Sequence, residues 1–346
     1  MDASMIWEWV IKAIVILLTM TAGFAYVTLY ERRLIARFQV RIGPNRAGPQ
    51  GLLQPIADAV KLIFKEEIAP TKADKIIFTL APILTAIPAL IITGVVPWGG
   101  TVTVFGRDIP LSLAADLNVG VLYLMAVTSI SVYGIALAGW SSNNKYATLG
   151  GLRSTAQMIS YEIAMGFCFI VPVILAGSMS ILDIVHAQKD VWFVFLQPGA
   201  AFIFFISMLA ETNRAPFDMP EAEQELTAGY HTEYSSMKFA LFFMAEYIKM
   251  IAVSMIFASL FLGGFQLPFQ GALERALPGL AGILVWLGPL ILFIKVVLIL
   301  FVFVWVRSTL PRIRYDRLMS FGWKVSFPLA LLSVLVTAAA VLLVGG

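Results

Sequence analysis

The sequence predicts an all-α integral membrane protein: eight transmembrane helices, an amphipathic helix in the first cytoplasmic loop, and both termini outside. Three observations predict it. Hydrophobic residues make up 60% of the 346 and charged residues only 13%, and several apolar runs exceed the ~18 residues that cross ~30 Å of hydrocarbon as a helix. Basic residues alternate between loops, dense in one set and sparse in the other. Trp7, Trp9, Trp98, Trp140, Trp192 and Trp323 fall near the expected span ends, where amphipathic rings favour the interface.

The spans are expected at 8–30, 76–97, 117–139, 154–176, 192–210, 239–262, 283–306 and 323–344. The first is too long for a signal peptide, has no basic n-region, and runs into Glu31-Arg32-Arg33 without a small-residue cleavage site. The loop that follows, 31–75, carries nine basic residues: Arg32, Arg33, Arg37, Arg41, Arg46, Lys61, Lys65, Lys72 and Lys75. Within 52–65, Leu53, Ile56, Val60, Ile63 and Phe64 recur at helical spacing, with Gln54, Asp58, Lys61 and Lys65 opposite. That pattern is an amphipathic helix for the membrane surface or for another protein; a helix that only anchors the fold is the plainer alternative. RIGPNRAGPQG (41–51) before it is basic and turn-rich. Loop three adds Lys145 and Arg153, loop five Arg214 and Lys238, and loop seven Arg307, Arg312, Arg314 and Arg317. Loops two, four and six hold only Arg107, Lys189 and Arg275. Seventeen basic residues against three put the odd loops on the cytoplasmic side, and a wrong span count would destroy the alternation. The whole of 1–346 reads as a single polytopic domain without internal repeats.

Charge is concentrated a second time in 211–238. Glu211, Asp218, Glu221, Glu223, Glu225 and Glu233 lie there, six of the chain's 21 acidic residues, opposed by Arg214 and Lys238. Long loops with unusual chemistry tend to be functional. Glu162, Glu246, Lys249 and Lys295 fall inside expected spans, and Glu211 at the end of the fifth. Each would cost about 2.5–3.5 kcal/mol facing lipid, so each faces protein or water. Glu246 and Lys249, three apart, share a helical face and can pair. Burial and a neighbouring ammonium pull a carboxyl's proton affinity in opposite directions, which suits a proton relay. A buried polar network that only holds helices together is the alternative.

Several chemistries lack their residues. The lone Cys168 excludes disulfides and cysteine-ligated metal. His186 and His231, both in loops, do not make a transmembrane haem site. No glycine-rich phosphate loop opens a helix. The chain is expected to bind no cofactor and no metal of its own, and no nucleic acid.

Four strings carry a family resemblance: YERRLIARFQVRIGPNRAGPQGLLQPIADAVKLIFKE (30–66), SYE (160–162), ETNRAPFDMPEAEQELTAGYHTEYSSMKF (211–239) and RSTLPRIRYDRLM (307–319). They resemble the H-subunit family of proton-pumping NADH:quinone oxidoreductase, respiratory complex I, whose mitochondrial counterpart is subunit 1. The resemblance covers nearly the whole chain in the family's order. It implies a place where the membrane arm meets the peripheral arm, beside a chamber in which a quinone, expected to be ubiquinone, is reduced. NADH, FMN and the iron–sulfur clusters belong to partner subunits in that family. By motif position Glu31, Arg32 and Asp58 match chamber-lining residues, and Arg41 and Arg46 the basic loop beside them. Asp218, Glu221, Glu223 and Glu225 fall in the acidic coupling loop, and Glu162, Glu211 and Glu246 match the family's buried carboxylates; Lys249 joins them by its spacing from Glu246. Some members have a glutamate midway along the third span, where this chain has Ser129. The family and the chain length imply a multi-pass protein of the bacterial inner membrane, with the mitochondrial inner membrane as the second option.

The chemistry agrees with that expectation on its own terms. Quinone reduction takes two electrons and two protons, and nearby cations or proton delivery must meet the charge that develops. Two rivals use the same residues: a stand-alone proton or ion transporter, and a membrane anchor subunit of a related hydrogenase or dehydrogenase. The basic first loop and acidic fifth loop favour a subunit with docking partners.

Overall fold

A computed structural model describes residues 3–104, 107–114, 116–219, 226–277, 279 and 281–345. Glu221, Glu223 and Glu225 lie outside the described residues. The chain is helical almost throughout. Helix α1 (Ala3–Phe38) leads into the short amphipathic α2 (Gln54–Ile63). Helix α3 (Lys75–Val95) starts where Asp74 accepts from the Ile76 and Ile77 amides, satisfying two of the amides a helix start leaves open. A β-hairpin, β1 (Thr101–Val104) and β2 (Arg107–Pro110), precedes α4 (Gly120–Ser141). Helix α5 (Lys145–Ala176) is capped by Asn144 and ends at the left-handed Gly177. Short helices α6 (Ile181–Ala187) and α7 (Phe193–Leu196) precede α8 (Pro198–Glu211). Then come α9 (Ser236–Phe261), α10 (Gln270–Ala276), α11 (Ala281–Thr309) and α12 (Tyr315–Phe321). A π-helical turn, Gly322–Ser326, joins α12 to α13 (Phe327–Gly345).

Among the described residues, seven helical stretches are long and apolar enough to cross a membrane. The expected fifth span, 192–210, is different. Its chain breaks at Gln197, ahead of Pro198, and α8 keeps only 14 residues, about 21 Å at 1.5 Å per residue. Pro198 takes a first-turn position, to which proline is suited, whereas Pro82, Pro88, Pro172 and Pro289 lie inside helices that continue through them.

Helix α9 is the most buried of the long helices; α1 and the last one are the most exposed to their surroundings. The loops sort by parity. Loops one and five meet through Lys238–Glu67 at 2.6 Å and through Ser235 and Ser236, which donate to the Glu66 and Leu62 carbonyls. Loop three joins them where Asn144 donates to Glu233 at 2.6 Å, and loop seven where the Ile313 amide donates to the Pro216 carbonyl at 3.2 Å. Loops four and six meet at Lys189–Glu274 and Arg275–Asp190. The segments rich in basic residues therefore gather at one end of the bundle.

Candidate functional site

The site grows out of the start of loop five. Gln157 on α5 is fully buried, and its amide donates to the Ala210 and Phe217 carbonyls, both at 2.8 Å. These bonds pin the turn after α8 against α5. The pinned turn points Arg214 inward, where it is only 6% exposed. Its Nε lies 3.0 Å from Glu246 on α9 and its Nη1 3.4 Å from Glu31 on α1. The guanidinium also lies over the Tyr247 ring, 4.4 Å from its centroid, a cation–π contact. Arg307, at the end of α11, pairs with the same Glu31 oxygen, and Tyr247 also hydrogen-bonds to Glu31. Four elements thus close on one cluster of two carboxylates and two guanidiniums.

Burial alone would lower the pKa of Arg214, but the Glu246 and Glu31 carboxylates outweigh it and raise it well above the ordinary guanidinium value. Arg214 is therefore a fixed charge at any working pH. A fixed cation between two carboxylates does not relay protons; it sets the potential in which they bind.

Beside this cluster is a cavity of about 330 Å³. Glu31, Arg32, Arg214, Glu246 and Arg307 give it a charged wall, and Tyr230, Phe239, Phe242, Phe243 and Tyr247 an aromatic one. Arg32 reaches back to Asp58 on α2 at 2.7 Å, and Gln54 donates to Asp58 at 3.0 Å, so α2 is tied to the rim.

A second cavity, about 30 Å³, lies deeper, lined by Glu211, Glu246, Lys249, Ser131 and Thr85 among others. It is large enough to hold water, since one molecule needs roughly 10–15 Å³ by this measure. Glu211 is 1% exposed and pairs with Lys249 at 2.6 Å. Lys249 also donates to Ser131 on α4 at 3.1 Å. The expected Glu246–Lys249 partnership is thus redrawn across helices: each has a partner on another element. Glu162 on α5 accepts from the Ser129 hydroxyl. Ser129 and Ser131 are two apart on α4 and leave it on nearly opposite faces, so α4 contributes a hydroxyl to each group, and Glu162 lies near enough for its charge to act on Glu211.

The structure thus brings Glu31, Arg32, Glu211, Glu246 and Lys249 around two adjoining cavities, with Asp58 outside them and paired to Arg32. Glu162 lines neither cavity but lies near enough for its charge to act on Glu211, and Asp218 is half-buried in loop five. Arg41 and Arg46 are exposed in the turn-rich segment and line neither cavity. Among the described residues no group of His, Cys, Asp and Glu is placed to hold a metal. Sequence reasoning counts Arg214 and Arg307 only as loop charges and passes over Gln157, Ser131 and Tyr247. The one signal for Arg214 is that it is the sole cation in the 15 residues Glu211–Glu225.

Comparison with known proteins follows the same lines. The family model described as NADH dehydrogenase matches residues 11–338. A second-form H subunit of NADH-quinone oxidoreductase from Geobacter sulfurreducens is 52% identical over 314 residues, covering 90% of each chain. The second-form H subunit from Syntrophobacter fumaroxidans is 50% identical over 339 residues, covering 96% of each. The H subunit of the NADH-quinone oxidoreductase of Protochlamydia amoebophila is 50% identical over 314 residues, covering 91% of each. The chain belongs to this NADH dehydrogenase family and is a membrane subunit of an NADH-quinone oxidoreductase complex.

Proposed function

We propose that this subunit forms part of the chamber in which quinone is reduced, and that it couples the reduction to proton movement through its buried carboxylates. The observation that carries the reading is Glu246, which lines both the 330 Å³ cavity and the small cavity of Glu211 and Lys249. A change of charge in the larger cavity is felt at the inner pair through one side chain.

The larger cavity has the size and the mixed aromatic and polar lining of a small-molecule site. A quinone head group fits its aromatic wall, and the guanidiniums of Arg32, Arg214 and Arg307 meet the negative charge that develops as electrons arrive from a partner subunit. Glu31 and Glu246, already held by Arg214, respond to that charge, and Glu211 and Lys249 respond in turn. Glu162, through Ser129, is the next carboxylate outward. In this reading α7 and α8 together make the eighth crossing. The basic end of the bundle faces the cytoplasm, both termini face outward, and the bilayer is the bacterial inner membrane. Arg41 and Arg46 then belong to the basic loop beside the chamber, Asp218, Glu221, Glu223 and Glu225 to the loop that couples it to the membrane, and the iron–sulfur subunits supply the redox cofactors. Ubiquinone is the quinone expected.

The test uses the assembled complex in sealed vesicles. Glu211→Gln and Glu162→Gln are expected to lower both the quinone-reductase rate and the protons moved per electron. Unchanged rate and ratio in both variants would sink the reading. A photoreactive quinone is expected to label the segment around Glu31 and Ile35 or the aromatic wall at 239–247; labelling that misses both favours a subunit that only anchors the redox arm.

A further inference from the structure

Lys295 takes no part in the network above. It lies near the middle of α11 and is 8% exposed. Its ammonium donates to three backbone carbonyls, Leu262 at 2.5 Å, Gly264 at 2.8 Å and Gln266 at 2.5 Å. It also stands 4.3 Å from the centroid of the Trp192 ring. Among the described residues it makes no ion pair with a carboxylate, so the negative partner is backbone and π-face alone.

Those carbonyls belong to the turn that ends α9. Gly263 (φ 70°) and Gly264 (φ 52°) carry the chain through the left-handed region, which glycine enters without penalty. The Gly264 amide returns to the Ala258 carbonyl at 2.7 Å, closing the helix. The three carbonyls follow the last helical residue, Phe261, and so stand at the negative end of the helix dipole. Gln188 clamps the same turn, accepting from the Gly263 amide at 3.0 Å and donating to the Ser259 carbonyl at 2.8 Å. A Cβ on Gly263 would stand 2.6 Å from the Trp192 indole nitrogen, so the ring closes over the turn because that residue is glycine. Three oxygens and a ring face make a site for a small monovalent cation, filled by the chain's own ammonium.

We propose that Lys295 is a positioning residue for the coupling network: its ammonium, held in this carbonyl-and-ring cage, fixes the C-terminal end of α9 so that the middle of the helix presents Glu246 and Lys249 at a set depth. The proposal rests on the reading that those two residues carry the coupling. α9 enters its C-terminal turn 13 residues beyond Lys249, and neither Glu246 nor Lys249 touches the cage. The effect is transmitted through a continuous helix.

The experiment compares Lys295→Ala and Lys295→Met in the assembled complex, with the quinone-reductase rate expressed per assembled complex. Leaving three buried carbonyls without a donor is expected to lower that rate about tenfold. Ethylammonium, which fits the space left by alanine, is expected to restore Lys295→Ala. It is expected to leave Lys295→Met unchanged, because the methionine side chain fills the cage. Tetraethylammonium, too large to enter, serves as the negative control. A role confined to stability would reduce the amount of complex assembled, not its rate or its response to an ammonium ion. A wild-type rate in Lys295→Ala, or a loss that ethylammonium does not relieve, overturns the proposal. If Lys295→Ala does not assemble, Lys295→Gln keeps N–H donors without the charge; a wild-type rate there overturns the need for a cation, and a lowered rate supports it. Should Glu211→Gln and Glu162→Gln both prove silent while Lys295→Ala shows a relieved loss, the cage stands as a helix anchor and the coupling reading falls. The opposite pattern keeps the coupling reading and removes the cage.

Discussion

The strongest demand on the structure is made by Arg214→Met. The substitution keeps a long flexible side chain and removes the guanidinium that Glu31 and Glu246 share. Taking one partner out of a buried ion pair costs about 3–5 kcal/mol, because a charge is left desolvated and unmatched. Two features argue for the lower end here. Glu31 keeps Arg307, and the Glu246 side chain retains 14% of its exposure. A penalty of about 3 kcal/mol corresponds to a factor of about 150 in a rate constant. For a large membrane complex that unfolds irreversibly, the measurable quantity is the half-life of activity at fixed temperature. If the Arg214 contacts are lost at the unfolding transition state, that half-life shortens by up to about 150-fold.

The partner variant supplies the refutation. Glu246→Gln added to Arg214→Met removes the charge that was left unmatched, and is expected to recover about 2 kcal/mol, some 30-fold in half-life. Arg214→Lys is expected to fall between, since one ammonium cannot take the two carboxylates that Nε and Nη1 take separately. An Arg214→Met half-life within about threefold of the parent, roughly 0.6 kcal/mol, would refute the reasoning. So would a double variant no better than the single one, because the two residues would then not be coupled.

Ser129→Ala removes the hydroxyl donor to Glu162; a hydrogen bond to a charged group is worth about 1.5–3 kcal/mol. Proton uptake during quinone reduction is expected to slow about tenfold and to return with Ser129→Thr, and equal uptake in all three proteins would remove Ser129 from the path. Gly150→Ala places a Cβ 2.7 Å from the Gly229 Cα, where backbone meets backbone. Overpacking of this kind costs about 1–3 kcal/mol, and a lower yield of complex with a shorter half-life is expected, whereas an unchanged yield and half-life would show that the two segments separate freely. Glu274 has its pKa lowered chiefly by hydrogen bonds from Lys189 and Gln270. A lowered carboxyl stabilises the fold above the ordinary carboxylate range and loses that contribution as pH falls through it. Glu274→Gln is therefore expected to shorten the half-life near pH 7, by a margin that begins to shrink only as pH falls below the ordinary carboxylate range and disappears below the lowered folded value, and a difference that stays the same size throughout would refute the assignment.

What the sequence makes legible here follows from which physical signals are local. Hydropathy and the basic-loop alternation are sums over neighbouring residues, so the long helices and the sorting of loops by parity can be read in advance. The exception is instructive: 192–210 has the composition of a span, yet the helix breaks at Gln197 and 14 residues remain, while other helices continue through their prolines, so a proline in an apolar run does not tell which will break. The amphipathic pattern of 52–65 likewise gives α2, whose apolar residues Ile56, Val60 and Ile63 stay exposed in the single chain. Pairing of charges is not a local signal. Glu246 and Lys249 share a helical face and still take partners on other elements, because a buried charge takes the counter-charge that three-dimensional packing brings nearest, and spacing along one helix only makes a pair available. Arg214 shows the same point more sharply. In the sequence it is a lone cation in an acidic loop, indistinguishable from one that faces solvent. It becomes central only because Gln157, 57 residues away, holds its turn against α5. A neutral glutamine bonded to backbone carbonyls and to the neutral Asn213 side chain carries no charge pattern, and so the residue that places the site's central cation is the one a reading of charges cannot find.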